Sequence, residues 1–177
     1  MNNNNEWAKT LLVAYRFLPR FCKAIDKQIK ELGYGSNYVS SSSYSFCDIN
    51  YVADRIIKLS DKKVDYINLK ICVERALKGL NKNLSKILIL KYIYQMSTNE
   101  ITNLLSMNIR TYFRKVIKAI TEFKSKLSEI GYNYENFVEL ISEDNWIKDL
   151  YLQVTKNDTF EANEFCKVKI LNFKFAI

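Results

Sequence analysis

Histidine is absent from this 177-residue chain. That removes the commonest general base, the usual partner of a nucleophilic serine or cysteine, and the imidazole ligands of most zinc and iron sites. Proline occurs once and glycine four times, too few turn-makers for a many-stranded β protein. The four cysteines, Cys22, Cys47, Cys72 and Cys166, form no C-x-x-C pair and read as small hydrophobes in a reducing compartment. No apolar run approaches the ~18 residues of a membrane span, and residues 1–5 lack the basic start and apolar stretch of a secretory signal. A cytoplasmic protein with no membrane partner is the expectation. Neither G-x-x-x-x-G-K-[ST] nor G-x-G-x-x-G occurs to cradle phosphates. Acidic pairs such as Glu143 with Asp144 have no basic or metal-ligand partner at a useful spacing and read as solvated faces. Nothing here supplies an enzyme's machinery, and no metal or cofactor is expected.

What is present points to helices and to charge. Hydrophobic residues make up 48% of the chain, so most of it has the material to fold. The net charge of +8 is unevenly spread. Residues 82–127 hold nine Lys or Arg against two Glu, whereas residues 133–165 hold eight Asp or Glu against two Lys. A solvated helix face usually mixes both signs, and a one-signed excess suggests a polyanionic partner such as nucleic acid.

Periodicity predicts the elements. Over residues 6–32, Trp7, Leu11, Ala14, Leu18, Phe21, Ile25 and Leu32 recur in steps of four and three, a heptad stripe with Gln28 in its one polar slot. Pro19 cannot donate its N–H, which predicts a break near Leu18. The stripe can pack on the chain's own core or on a second copy in a homodimer. Residues 33–50, "GYGSNYVSSSSYSFCDIN", have no helical period and read as a Ser-rich linker. Helical spacing then resumes in two pieces, Val52, Ile56 and Leu59, then Ile67, Ile71, Ala76 and Leu80, with a break expected at residues 60–63.

The middle of the chain is the most specific. Residues 84–94 predict a helix. Ser97 opens S-T-N-E, a capping box in which Ser97 and Glu100 satisfy one another's backbone N–H groups. The short helix that follows buries Ile101, Leu104 and Leu105 and ends near Ser106. Met107 can plug the turn, and Asn108 is a good N-cap for a third helix over about 108–126. There Phe113, Val116 or Ile117, Ile120, Phe123 and Leu127 are expected inside, with Arg110, Thr111, Arg114, Lys115 and Lys118 outside.

This order of cap, short helix, apolar turn, second cap and basic helix is that of a helix-turn-helix, whose second helix enters the major groove of duplex DNA. Base readout then falls to Ile109, Arg110, Thr111, Tyr112 and Arg114. Phosphates fall to Lys115, Lys118, Lys124 and Lys126, and to the N–H groups opening the first helix at Ser97, Thr98 and Asn99. The competing reading is an ordinary helical hairpin with a charged outside.

Residues 76–127 resemble the helix-turn-helix of bacterial sigma factor region 4, whose pattern runs from a leucine-rich helix through "Y-x-x-G-x-S-x-x-E-I-A" to "S-x-x-T-V". Tyr92, Ser97, Glu100, Ile101, Asn108, Thr111 and the basic stretch from Arg114 match it. Gln95 stands at the pattern's glycine, Thr102 at its alanine, and Ser106 at the glycine of the turn. With the helical N-terminal stretch and serine-rich connector, the arrangement is similar to the ArpU/RinA-like phage-type transcriptional regulators. That resemblance implies sequence-specific DNA binding and transcriptional control, by a protein that is dimeric or works on RNA polymerase.

Residues 133–154 read as one acidic helix with Phe137, Leu140 or Ile141, Ile147 and Leu150 or Tyr151 inside. Residues 167–177, "KVKILNFKFAI", alternate as a short strand does. The expected organisation is therefore an all-α helical bundle with an N-terminal amphipathic segment (1–33), a linker (34–50), a DNA-binding domain (51–127), and an acidic helix with a tail ending in that strand (128–177). The reading from a different class is a helical protein-interaction module, an anti-activator or assembly factor that binds no DNA.

Overall fold

In the computed structural model, residues 5–38 and 46–156 are described, and among them every regular element is helical. The chain order is α1 (Glu6–Tyr15), α2 (Leu18–Tyr38), α3 (Phe46–Lys78), α4 (Lys82–Leu88), a π turn (Ile89–Ile93), α5 (Thr98–Leu104), α6 (Ile109–Glu129), α7 (Tyr134–Glu143) and α8 (Asn145–Lys156). No helix among the described residues is long and apolar enough to cross a membrane. The expected strand at 167–177 lies outside the described residues.

The predicted break at Pro19 occurs. α1 ends at Tyr15 and α2 begins at Leu18, which leaves proline in a first turn where its missing N–H costs nothing. Two other expected breaks do not occur. α2 continues through Gly33 to Tyr38, and α3 begins at Phe46, so of the proposed linker only residues 39–45 lie outside the description. α3 also runs unbroken across residues 60–63, because that polar stretch contains neither glycine nor proline and the Ser60 hydroxyl donates to the Ile56 carbonyl at 2.8 Å. The acidic segment, in contrast, is two helices. Asp144 is no solvated carboxylate: it is buried, and its Oδ1 accepts from the N–H groups of Trp146 at 3.0 Å and Ile147 at 3.3 Å at the start of α8.

The chain divides into two units, with boundaries unlike those expected from the sequence. In the first, residues up to Arg16 join residues from Lys70 onward. There α1 packs on α8, α6 and the π turn, α4 packs along α6, and α7 lies on α8. Trp7, fully buried, is the hinge of an aromatic cluster: it stacks on Tyr132 with centroids 6.4 Å apart and meets Phe137 at 6.1 Å. Tyr132 reaches this position because α6 ends in a left-handed turn at Gly131, φ +86°, with the Tyr132 N–H donating to the Leu127 carbonyl at 2.9 Å. Burial pushes the Tyr132 phenol well above its ordinary range. At the other end of α1, the Tyr15 hydroxyl donates to Glu74 Oε1 at 2.9 Å. Burial and that carboxylate push the Tyr15 phenol up to about 12, and the same bond holds Glu74 below its usual value.

The second unit, Phe17–Leu69 among the described residues, is built from α2 and most of α3. Phe21 meets Tyr66 edge-on at 5.9 Å, and Lys63 pairs with Asp26. The heptad stripe is accounted for within the chain, since Trp7, Leu11, Ala14, Leu18, Phe21 and Ile25 are all buried. Of the stripe expected to serve either the chain's own core or a homodimer through residues 7–32, these six residues are core and Leu32 is half-buried.

Candidate nucleic-acid interface

α5, a four-residue turn and α6 form the segment that the sequence singles out. The capping box is present. Ser97 Oγ accepts from the Glu100 N–H at 3.3 Å, while the Glu100 carboxylate accepts from the Ser97 N–H at 2.7 Å and the Ser97 hydroxyl at 2.8 Å. These bonds hold the Glu100 carboxyl below its usual range. They bear on the phosphate role expected of Ser97, Thr98 and Asn99 at the first of these residues, whose N–H is the one they occupy. The Ser97 N–H is already bonded, a carboxylate sits where a phosphate would come, and Thr98 is turned toward the phenol of Tyr112.

α5 ends as α6 does, in a left-handed turn. Ser106 has φ +47°, its N–H donates to the Asn103 carbonyl at 3.2 Å, and the Met107 N–H donates to the Thr102 carbonyl at 3.0 Å. This geometry usually takes glycine, because a Cβ there crowds the following carbonyl oxygen. Gln95, φ +54°, is the other non-glycine residue with this backbone among the described residues. Ser106→Gly should therefore raise stability by about 0.5–1 kcal/mol, the left-handed cost less the extra freedom of glycine in the unfolded chain. A denaturant midpoint unchanged or lowered would contradict this. Thr102 fits a buried small-residue position because its hydroxyl donates to the Asn99 carbonyl at 3.0 Å.

Asn108 caps α6, its Oδ1 accepting from the Thr111 N–H at 2.7 Å. The inner face of α6 is Tyr112, Val116, Ala119, Ile120, Phe123 and Leu127. Tyr112, expected to read bases, is fully buried. Its ring lies 5.8 Å from the Lys91 ammonium, so it joins the π turn, α5 and α6 and cannot reach a groove. Conversely Phe113, expected inside, is 50% exposed, and Ile117 is exposed as well. The expected stripe is out of phase by one residue at its start because an aromatic stands at both 112 and 113. Only Tyr112 has the hydroxyl that Thr98 can meet.

The outer face then carries two parallel rows, each at intervals of four residues: Ile109, Phe113 and Ile117, and beside them Arg110, Arg114 and Lys118. Arg110, Arg114 and Lys115 have no ion-pair partner among the described residues. Arg114, Lys115 and Lys118 line a shallow hollow with Asn81, Asn83, Leu84 and Glu122, where α4 lies along α6. Lys118 pairs loosely with Glu122 at 3.7 Å. Lys126 is committed elsewhere: its ammonium holds Glu129 at 2.7 Å and its stem lies over Gly79. Lys124 is half-buried. Thr111 is half-exposed at the first turn. The cations grouped for an external anion are therefore Arg110, Arg114, Lys115 and Lys118, with Asn81 and Asn83 as neighbours that the sequence reading missed.

No family model matches this chain, and no curated protein or solved structure does either.

Proposed function

We propose that this chain is a sequence-specific, double-stranded-DNA-binding transcriptional regulator that lays the first half of α6 in a major groove. One observation carries the reading. Arg110 and Arg114 stand one turn apart, exposed and without an ion-pair partner among the described residues, at the capped start of a basic helix that follows a tight turn. Four residues of helix rise about 6 Å, close to two base-pair steps, and an arginine forks onto guanine O6 and N7. Ile109 and Phe113 beside them supply apolar contact for thymine methyl groups, while Lys115 and Lys118 neutralise phosphates. Further support comes from Gln95 and Ser106, which adopt the left-handed backbone at the two places where the sigma region 4 pattern has glycine. On this reading RNA polymerase is the protein partner, and the exposed carboxylates Glu135, Glu139 and Glu143 of α7 are a surface for it.

A second reading, the protein-interaction module, is favoured by Leu104, Ile109, Phe113 and Ile117, which together make half of the outer face apolar. The salt response separates the two. Titrating a fluorescent random-sequence duplex at rising salt should show log affinity falling with log salt at a slope of about −3 to −4, as expected for four cations that displace counterions. A flat slope at negligible affinity would favour the interaction module.

A further inference from the structure

Two exposed helix faces share one spacing and carry opposite charge. On α6, Ile109, Phe113 and Ile117 are each followed directly by Arg110, Arg114 and Lys118. On α7, Tyr134, Val138 and Ser142 are each followed by Glu135, Glu139 and Glu143, and all six are exposed. The α7 face thus repeats the α6 face with a glutamate for each cation. These charges are available. Arg110 and Arg114 have no ion-pair partner among the described residues, nor have Glu135, Glu139 and Glu143, and Lys118 is held only loosely by Glu122 at 3.7 Å.

We propose that the outer face of α6 docks on the outer face of α7 of a second copy, with the two helices running in opposite directions. Rows at intervals of four are the ridges that fall into line when helices cross at about −50°. The order within each pair sets the direction. Facing helices mirror one another's sides, so opposite directions bring apolar row to apolar row and cations to carboxylates, whereas a parallel pair would set the cations against Tyr134 and Val138. The register in which both rows overlap fully places Phe113 against Val138 at the centre, Ile117 beside Tyr134 and Ile109 beside the small Ser142. In that same register Arg114 meets Glu139, Arg110 meets Glu143 and Lys118 meets Glu135, so every charge faces its opposite. The chain's own α7 does not reach this place: it lies on α8 and starts beyond the far end of α6, about 18 Å of helix after Ile117. One helix-on-helix contact is small, so the association is weak and sensitive to salt. On the DNA reading, a paired copy offers neither its arginines to a duplex nor its carboxylates to RNA polymerase. That consequence rests on the DNA reading, and the contact itself does not.

The test is the mass of the full chain without DNA, by sedimentation and light scattering between about 10 and 500 µM. The parent's average mass should rise with concentration and fall back towards that of the monomer in about 0.5 M salt. Arg114→Glu and Glu139→Arg should each raise the dissociation constant about 10-fold or more, while the circular dichroism of the helices is kept. An equimolar mixture of these two variants, and the double variant carrying both, should associate again, because each restores an acid opposite a base. Arg110→Glu and Glu143→Arg should behave as a second such pair. A parent that is monomeric at 500 µM overturns the proposal. So does association that survives all the single reversals, or a loss that neither mixture nor double variant restores in either pair. Because no DNA is present, failure here leaves the DNA reading standing, and failure of that reading leaves this one.

Discussion

Trp7→Ala should cost about 3–5 kcal/mol of folding stability, a large share of the 5–15 kcal/mol by which domains are ordinarily stable. Trp7 is 1% exposed and its ring is shared among Tyr132, Tyr134 and Phe137. Alanine would therefore remove the contact that fastens α1 to the turn after α6 and to α7, and the fixed neighbours could not collapse into the gap. Trp7→Phe is the informative partner. It keeps a ring in the cluster, and it removes an indole N–H that is buried without an acceptor among the described residues. An unpaired buried donor itself costs about 1–3 kcal/mol. The loss of packing and the relief of that donor then nearly offset, and Trp7→Phe should fall within about 1 kcal/mol of the parent. Urea unfolding followed by the fluorescence of Trp146 reports on both variants. Equal losses for Ala and Phe would show that the indole N–H is satisfied and that the cluster is not the clamp described.

Arg110→Ala and Arg114→Ala should each weaken binding to the preferred duplex by about 1–3 kcal/mol, roughly 5- to 150-fold, while changing affinity for unrelated duplexes far less. The difference arises because a forked contact to a guanine edge exists only on the right sequence. Lys115→Ala and Lys118→Ala should behave otherwise, weakening all duplexes alike and reducing the salt slope by about one each. Arg114→Lys should not restore the lost preference, because an ammonium is a point charge and cannot make the fork. Gel-shift titrations of matched and mismatched duplexes distinguish these patterns. If the arginine variants lose affinity equally on every sequence, both residues contact phosphate and base readout lies elsewhere on α6.

What could be read from the sequence was local. The break at Pro19, the Ser97–Glu100 capping box and the Asn108 cap depend on residues three or four positions apart, and all three occur. What could not be read depended on tertiary neighbours. Tyr112 and Phe113 satisfy the same periodicity, and only the Thr98 hydroxyl and the Lys91 ammonium decide that Tyr112 goes inside. Residues 60–63 looked like a break because polar residues interrupted one apolar stripe, whereas α3 has two such stripes on opposite sides. Asp144 looked like surface charge because its partners are backbone N–H groups, which no composition reveals. The cations divided in the same way: Lys126 pairs with Glu129 and Lys118 with Glu122, while Arg110 and Arg114 have no ion-pair partner among the described residues, a division that charge alone does not reveal.

The central claim is that the outer face of α6 reads DNA sequence, and selection from a pool of random duplexes by the full chain tests it most directly. After several rounds, the bound pool should be enriched in one short site containing two guanines about two steps apart with thymine beside them. Arg110→Ala and Arg114→Ala should each lose the preference at one of those guanines. A pool that stays random, or a site read identically by both variants, would contradict it.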